Sequence, residues 1–580
     1  MLALALSASK LMWVESTSRT LLGCAWCASG RALPHELQWL LALAALHLIA
    51  ATRLAARWRL GGLLRLALIG LLLLAAADLF VLQQFLVRLT LGEAMKFAGE
   101  PQAWRGFLGQ LGPGLALLAG ALLLLGALLA ARYVAGRRVS AQDDASQVRP
   151  AGRRTWWLVA AALACATLAA AAKLDDQHTP YLQNSLEAFL TVQSRQRAYS
   201  SGFVADLPHQ SDDASRCLPG AASRPDVILL MVESLSAYHS RYFNGIHDWT
   251  PELDRISAAA TSLQNFYANG VNSEQGLIAL LTGEPPIERP GARGRTLFEG
   301  FMTPKDSVPR MLRRAGYETR FISGFNLDFP GLQPWLAAIG FDRVEGQEAA
   351  FFAGRSSVRL HFDSVLDELL FERVLHELAQ PRDKPLFVTS FTQSTHHPYY
   401  DPSTGQRTQE AAFRYADRAL GRFVDGLRAQ RYFDKGYLLI VGDHRAMQPM
   451  DSRERERFGD RGFARVPMTV VGPGDRTTGP TRLAEAFSQT DLLPSLRQLV
   501  SADPVCAAPD QGLFLGAQRV VPQCLYTLRA YNPNRVYAQC GQSDAVIELD
   551  GDDTRQLGSP VANQPVLQRV NRFRLGHGFE

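Results

Sequence analysis

The sequence predicts a multi-helix transmembrane anchor, then an α/β domain with a mixed, mostly parallel sheet sandwiched by helices, and finally a small β-rich tail. Three observations predict this order. Residues 36–173 are dominated by leucine and alanine, residues 226–471 alternate short apolar runs with helical stretches, and residues after 505 carry strand-like segments between turns. The chain has 580 residues, too many for one ordinary core, so several domains are expected.

The anchor rests on four apolar runs, because crossing a bilayer takes about 20 residues. They lie at 37–56, 62–87, 108–131 and 155–172. Each run could instead be a buried core helix, but several long Leu/Ala runs in succession favour membrane spans. Residues 1–30 could hold a fifth helix, although Lys10, Glu15 and Arg19 interrupt them. They also lack a clear n-region and cleavage site, which disfavours a removed signal peptide.

Basic residues crowd two of the short loops between these runs. The first loop contains Arg53, Arg57 and Arg59, and the third contains six arginines between 132 and 154, whereas acidic residues offset the charge of the second. Cytoplasmic loops are enriched in Lys and Arg, so everything after Lys173 is expected outside the cytoplasmic membrane. We therefore read the net charge of +5 as a topology signal and expect no nucleic-acid partner.

The composition divides the chain into a transmembrane region at 1–173, a connector at 174–224, an α/β domain at 225–504 and a β-rich extension at 505–580. Cys24 and Cys27 have redox or metal spacing but no partner pair, so incidental thiols are the better interpretation. Four further cysteines lie in the soluble part and could form two disulfides if that part is exported. These are Cys217, Cys506, Cys524 and Cys540, and the sequence leaves their pairing open.

Continuous apolar runs of strand length are typical of strands buried on both faces of a parallel sheet. The predicted strands are 226–232, 318–323, 386–391, 437–441 and 466–471. The predicted helices between them are 252–260, 275–282, 307–315, 361–379 and 411–429. Sites in such sheets form at the carboxyl ends of the strands.

Polar residues follow several of these strands. Glu233 ends the first strand, His396 and His397 follow the third, Asp443 and His444 end the fourth, and Ser273 precedes a helix. Each has an ordinary alternative: a solvated loop carboxylate, a turn, a capping Asp beside a surface His, or an N-cap serine. Their joint placement at one sheet edge favours a site.

The residue types fit one kind of chemistry. Two carboxylates and an imidazole suit Zn²⁺ or Mn²⁺, and a coordinated hydroxyl loses its proton more easily. A helix N-terminus behind Ser273 favours a phosphate, and a second imidazole could bind a substrate oxygen or protonate a leaving group.

These motifs resemble the alkaline phosphatase superfamily, within it the lipoteichoic acid synthase and phosphoglycerol transferase branch. The similar segments are Val227–Ser234, Asn269–Leu277, Ser394–Tyr399, Tyr415–Phe423, Val441–His444, Val466–Met468 and Gln489–Leu496. The resemblance covers roughly 225–500, and the preceding anchor also fits that branch.

The resemblance implies roles for six residues. Glu233, Ser273, Asp443 and His444 would coordinate one divalent cation, Mn²⁺ or Zn²⁺; Ser273 would attack phosphorus and form a covalent intermediate; His396 would contact the phosphate or leaving group. His397 is a further candidate substrate ligand. The implied reaction moves glycerophosphate or phosphoethanolamine from a membrane phospholipid to an envelope glycan or lipid acceptor.

Two positions depart from the branch. The nucleophile there is usually Thr rather than Ser273, and Gly usually follows the Asp-His pair where this chain has Arg445, which could bind phosphate or fill space. A sulfatase is disfavoured because no Cys/Ser-x-Pro-x-Arg context surrounds Ser273. A phosphodiesterase or phosphatase that uses water stays open, as does a non-catalytic lipid- or glycan-binding domain.

Overall fold

The structure is a computed structural model that describes most of the soluble part of the chain and parts of the apolar region. The described residues are 2–18, 27–50, 60–85, 87–91, 94, 157, 179–190, 200–206, 216–288, 296–356, 358–360, 363–473, 481–516, 518–529, 534–557 and 564–575. The chain divides into two compact units. The first comprises Met1–Ala98, Trp104–Val192 and Gln448–Asp451, and the second Gly99–Ala103, Gln193–Met447 and Ser452–Glu580.

The first unit is helical where it is described. Its helices are Leu2–Ser18, Leu33–Ala50, Leu60–Phe85, Thr179–Leu182 and Ser185–Leu190, with a π-helical segment at Cys27–Ala32. Within the described residues, one helical stretch, Leu63–Gln83, is long and apolar enough to cross a membrane. It coincides with the second predicted run. The runs at 108–131 and 155–172 and the arginine-rich loops lie outside the described residues, apart from Trp157.

The second unit is built on an eight-stranded sheet. Numbered along the whole chain, the strands are β1 Arg216–Leu218, β2 Val227–Val232, β3 Thr261–Tyr267, β4 Glu318–Ser323, β5 Arg343–Glu345, β6 Leu386–Phe391, β7 Tyr437–Gly442, β8 Met468–Val471, β9 Thr481–Ser488, β10 Val505–Ala507, β11 Leu525–Thr527, β12 Arg535–Cys540, β13 Ser543–Asp550 and β14 Asp553–Leu557. The order in the large sheet is β5-β4-β6-β2-β7-β8-β3-β9. β8 pairs antiparallel with both neighbours, and every other pairing is parallel. The predicted mixed, mostly parallel sheet is therefore confirmed.

The centre of this sheet is buried on both faces. Along β2, Val227, Leu229 and Met231 enter one apolar cluster, and the alternate residues Ile228 and Leu230 enter another. Side chains alternate across a strand, so a strand covered on both sides must be apolar throughout, as the sequence of β2 is. Strand β2, the first of the predicted strands, can therefore be predicted from sequence alone.

Helices cover the two faces. Those on the first face are Ser273–Thr282, Val308–Arg314, Leu332–Ala338 and Leu492–Val500, and those on the second are Pro251–Ala258, Asp367–Leu378 and Gln409–Ala429. The short helices Ser201–Asp206 and Ser452–Phe458 lie outside these two clusters, and 3₁₀ turns occupy Ala237–His239, Leu297–Phe301, Ala350–Phe352, Tyr432–Asp434, Gly459–Ala464 and Gln489–Asp491. The helix predicted at 361–379 begins only at Asp367. The strand predicted at 466–471 begins at Met468, because Pro467 has no N–H to give to the ladder.

The tail is an antiparallel sheet in the order β11-β12-β13-β14. Its apolar face packs under the helix Gln564–Leu575 through Val566 and Val570. Disulfides join Cys217 to Cys506 and Cys524 to Cys540. The first joins β1 to β10, which also pair antiparallel at those two residues. The structure thus supplies a pairing that the sequence left open.

Candidate active site at the carboxyl edge of the sheet

Ser273 is the first residue of the helix that follows β3. The N-cap is Asn272, whose side chain accepts a hydrogen bond from the backbone of Gln275 at 3.0 Å. The hydroxyl of Ser273 is therefore not used as a cap, which removes the ordinary alternative for this serine. Its Oγ donates to Glu233 Oε2 at 3.0 Å and lies 3.4 Å from His444 Nε2.

The first helical turn packs directly on the Asp443 backbone. A Cβ at Gly276 would lie 2.3 Å from the Asp443 carbonyl oxygen. Real Cβ atoms do not approach an oxygen this closely, so a glycine is required for Ser273 and Asp443 to be neighbours. The glycine three residues after Ser273 therefore has a direct steric explanation.

Glu233, Asp443 and His444 meet beside this serine. Their ligand atoms all lie within 4.8 Å of one another, and all three side chains are buried. His444 Nε2 is 3.4 Å from both Glu233 Oε1 and Asp443 Oδ2. The central strands β2 and β7 lie side by side and parallel, so the residues that follow them emerge at the same edge.

The two oxygens of Asp443 have different surroundings. Oδ1 accepts hydrogen bonds from the backbone N–H groups of Ser234 and His444, each at 2.7 Å. Oδ2 is fully buried and receives no hydrogen bond. A buried carboxylate oxygen without a donor is unfavourable unless another positive group satisfies it.

The ring of His444 is held in one orientation. Its Nδ1 lies 2.8 Å from the backbone carbonyl of Arg445, which can only accept, so Nδ1 carries the proton. In the neutral ring, Nε2 then presents a lone pair toward Glu233, Asp443 and Ser273. A hydrogen bond from one ring nitrogen to a carbonyl is the usual arrangement of a metal-binding histidine.

The three ionisable groups of this cluster shift one another's pKa values. Burial, reinforced by the charge of Glu233, raises the pKa of Asp443 to about 8. Burial raises the pKa of Glu233, but the hydrogen bond and charge of His444 outweigh it and bring that pKa to about 2. Burial lowers the pKa of His444, but the charges of Asp443 and Glu233 raise it to about 9. The two carboxylates and the imidazole therefore interact strongly within one buried cluster.

The donor set fits one divalent cation. It offers two carboxylates, one imidazole lone pair and one hydroxyl, a combination suited to Zn²⁺ or Mn²⁺. The unpartnered Asp443 Oδ2 supplies an independent reason, since it lies in the same cluster. Among the residues that the structure describes, no second cluster of this kind is found.

His396 lies on the loop that follows β6, and this loop is tied to Glu233. Thr395 Oγ1 donates to the Glu233 carbonyl at 2.5 Å, and the Glu233 N–H donates to Thr392 Oγ1 at 3.2 Å. His396 Nδ1 bonds to the carbonyl of His397. Burial lowers the pKa of His396, although the nearby charge of Glu233 opposes the effect. The loop thus holds a buried imidazole with a lowered pKa close enough to Glu233 to be affected by its charge.

The side chains of His397 and Arg445, the other two candidate substrate ligands, contact protein side chains. The His397 ring packs edge-on against Tyr399 at 5.2 Å. The buried Arg445 guanidinium bonds Glu454 through two nitrogens, at 2.8 and 2.5 Å. This pair balances the charge of Arg445, which favours the space-filling alternative over phosphate binding.

Three residues that support the site through hydrogen bonds were not predicted: Asn269, Gln489 and Asp367. Asn269, at the start of the serine turn, makes four hydrogen bonds: to Gln489 Oε1, to the Tyr526 carbonyl, from the Thr490 N–H and from the Leu528 N–H. Gln489 Nε2 also donates to the Gly442 and Asp443 carbonyls, at 3.0 and 2.6 Å. The tail, to which the sequence assigned no chemistry, therefore supports the serine turn through β11. Asp367 accepts from the Gln393 and Ser394 N–H groups and so holds the His396 loop.

Comparison with known proteins gives a consistent assignment. Residues 225–502 match the sulfatase family model. A phosphoglycerol transferase I of Xanthomonas axonopodis pv. citri is 24% identical over 393 residues, which cover 60% of this chain and 52% of that protein. The chain thus spans about half the length of this relative.

Two solved structures are similar at low identity. An alkaline phosphatase superfamily protein of Vibrio parahaemolyticus has a TM-score of 0.47 and 21% identity, covering 66% of this chain and 92% of its own. The lipoteichoic acid synthase LtaP of Listeria monocytogenes has a TM-score of 0.45 and 18% identity, covering 61% and 91%. The predicted resemblance is confirmed, because residues 225–502 match the sulfatase family model and phosphoglycerol transferases are among the similar proteins.

Proposed function

We propose that this chain is a membrane-bound phosphotransferase, which moves glycerophosphate or phosphoethanolamine from a phospholipid to an envelope glycan or lipid acceptor. One observation carries the proposal. The hydroxyl of Ser273 meets Glu233 and His444 beside the unpartnered Oδ2 of Asp443. A hydroxyl at the start of a helix and next to such a cluster is placed as a nucleophile toward an anionic group.

Glu233, Ser273, Asp443 and His444 would hold one divalent cation, Mn²⁺ or Zn²⁺. When bound, this cation supplies positive charge that stabilises the serine alkoxide and the phosphate oxygens. Asp443 is oriented for this by two backbone N–H groups, and His444 by the carbonyl of Arg445. The protein residues thus set the geometry before substrate arrives.

In the first half-reaction, Ser273 Oγ forms a bond to phosphorus and the bond from phosphorus to the diacylglycerol oxygen breaks. The proton released by the Ser273 hydroxyl passes to the leaving alkoxide, and His396, kept neutral by its lowered pKa, would relay it. In the second half-reaction, an acceptor hydroxyl attacks phosphorus and the bond from phosphorus to Ser273 Oγ breaks. The acceptor's proton returns to Ser273 Oγ, again by way of His396, which restores the free serine.

The membrane setting rests on several supports of different kinds. The stretch Leu63–Gln83 could span a bilayer, and the relative from Xanthomonas acts, by its name, on phosphoglycerol groups. Two disulfides in the second unit are typical of an exported domain. A multi-pass anchor in the cytoplasmic membrane, with the active site on the periplasmic or extracellular side, would keep Ser273 near lipid headgroups.

A transferase and a hydrolase share the first half-reaction and differ in the second. The test incubates membranes containing the full chain with labelled phosphatidylglycerol or phosphatidylethanolamine, and follows diacylglycerol and labelled acceptor. Diacylglycerol released from phosphatidylglycerol together with labelled acceptor supports glycerophosphate transfer. The same products from phosphatidylethanolamine support phosphoethanolamine transfer. Diacylglycerol with only free glycerophosphate or phosphoethanolamine indicates a hydrolase. Release from neither lipid contradicts the proposed donor class.

A further inference from the structure

A groove of about 810 Å³ lies on the second unit and carries several arginines. One wall is the loop between Arg241 and Ile246. The other is one side of the helix Ser452–Phe458, which contributes Arg453, Glu456 and Arg457. Three arginines and one glutamate give the lining an excess of two positive charges.

Both walls continue from loops of the candidate active site. The first wall follows Glu233 along the chain, and the second follows His444. The helix Ser452–Phe458 is also fixed from within, because its Glu454 makes the bidentate pair with Arg445, the residue after His444. The groove and the candidate active site therefore share their supporting loops.

Two arginines of this groove differ from the other arginines nearby. Within the described part of the chain, the side chains of Arg241 and Arg457 form no ion pair, whereas Arg455 on the same helix pairs with Asp460 at 2.7 Å. Arg241 lies on one wall and Arg457 on the other, and Glu456 offsets only one of the three positive charges of the lining. The remaining positive charge favours an anion bound in the groove.

We propose that this arginine groove, whose walls continue from loops of the candidate active site, is a second binding site, which takes a phosphate ester and holds the phosphate-bearing part of a substrate. Arginine forks match phosphate oxygens in pairs, and two walls can hold one phosphate from both sides. The volume exceeds that of a single phosphate group, which leaves room for an attached glycerol or sugar. The assignment of this ligand as substrate rests on the proposed function; the binding itself does not.

The test compares three full-length chains in neutral detergent, each with Ser273→Ala to prevent turnover. The first has no other change, the second carries Arg241→Gln with Arg457→Gln, and the third carries Arg431→Gln. Arg431 is an exposed arginine paired with Asp434 and is the control for loss of charge. Calorimetric titration with glycerol 3-phosphate is expected to show a binding event that the double variant loses or weakens about tenfold and the control keeps. Equal binding by all three chains overturns the proposal.

A second arm identifies the source of the phosphate. The same chains are placed in phosphatidylcholine nanodiscs with and without phosphatidylglycerol, and glycerol 3-phosphate binding is measured again. Competition by phosphatidylglycerol that depends on Arg241 and Arg457 assigns the groove to a lipid headgroup, and its absence assigns it to a soluble phosphate ester.

The proposed function and the proposed binding groove can fail independently of each other. If the labelled-lipid assay shows no release while the double variant still loses glycerol 3-phosphate binding, the groove stands and the transferase assignment falls. If transfer occurs, the double variant, tested with Ser273 intact, is expected to raise KM for a phosphorylated acceptor about tenfold and leave hydrolysis of bis(p-nitrophenyl) phosphate unchanged. An unchanged KM overturns the substrate assignment.

Discussion

Two sets of buried charged residues include neighbours on one loop, and they differ in how their charges are satisfied. Arg445 and Glu454 neutralise each other through two hydrogen bonds. Asp443 and His444, two residues and one residue before Arg445, converge with Glu233 and leave Asp443 Oδ2 without a donor. Burial is equal, so burial alone does not separate a structural charge from a functional one. The separating feature is whether the fold satisfies the charge by itself.

The largest expected effect is on the functional side of this comparison. Ser273→Ala removes the nucleophile and is expected to lower turnover at least about a thousandfold. The two carboxylates and the imidazole remain, so the variant is expected to keep most of its bound metal. Turnover and metal content are measured on the same preparation. Turnover near the parent level would remove Ser273 from the reaction.

Asp443→Asn is expected to lose both metal and activity, the latter by at least about a hundredfold. Metal content is measured by mass spectrometry after purification in Mn²⁺ and in Zn²⁺. Above pH 8, where Asp443 is ionised, the metal-free variant should unfold at a higher temperature than the metal-free parent, because a neutral amide removes the repulsion with Glu233. Normal metal content in the variant contradicts the ligand assignment.

Gly276→Ala tests the packing that brings the serine helix to Asp443. The new Cβ would lie 2.3 Å from the Asp443 carbonyl oxygen, so the helix or the loop must move. We expect a destabilisation of about 1–3 kcal/mol and a clear loss of turnover. Gly202→Ala is the matched control, because its Cβ would meet nothing closer than 3.9 Å. Equal effects of the two changes would contradict the steric argument.

Arg445→Met tests the structural side. Removing the guanidinium that neutralises the buried Glu454 is expected to cost about 3–5 kcal/mol of stability, while Arg445→Met with Glu454→Leu restores most of it. Metal binding is expected to persist in the double variant, since Arg445 gives His444 only its backbone carbonyl. Loss of metal in a stably folded double variant would show that the two buried groups are coupled.

A further expected effect, on stability and not on turnover, is a pH dependence that comes from Asp367. Burial raises its pKa from 3.8 to about 6, so the folded state holds this proton more tightly than the unfolded state. The stabilisation is therefore full below pH 4 and lost as the pH rises to about 6, by about 2–3 kcal/mol. Asp367→Asn should remove this component from the pH profile of thermal unfolding. Identical profiles would show that Asp367 does not titrate in this range.

The sequence predicted the centre of the sheet well and its margin poorly. Strands β2 and β7 match predicted runs to within one residue, because burial on both faces favours a continuous apolar strand. β3 and β9 were not predicted, since polar side chains interrupt them and their pairing shifts register between Leu263 and Asn265. The reversed direction of β8 likewise leaves no local pattern.

The residues of the candidate site likewise divide into those that the sequence could predict and those that it could not. Glu233, Ser273, His396, Asp443 and His444 could be found because each follows a strand or opens a helix. Asn269 and Gln489 could not, because their hydrogen bond joins residues 220 positions apart. The role of Arg445 also depended on Glu454, which stands at an unremarkable position of a short helix.

The disulfide between Cys217 and Cys506 joins the strand that precedes residues 225–502 to the strand that follows them. The chain therefore enters and leaves this domain at one covalently fastened place. A module with its two ends together can be inserted into another polypeptide, or exchanged for a homologous one, without stretching its host. This geometry makes the joined pair Cys217 and Cys506 a natural boundary for grafting experiments, with the tail strand that bonds Asn269 carried along.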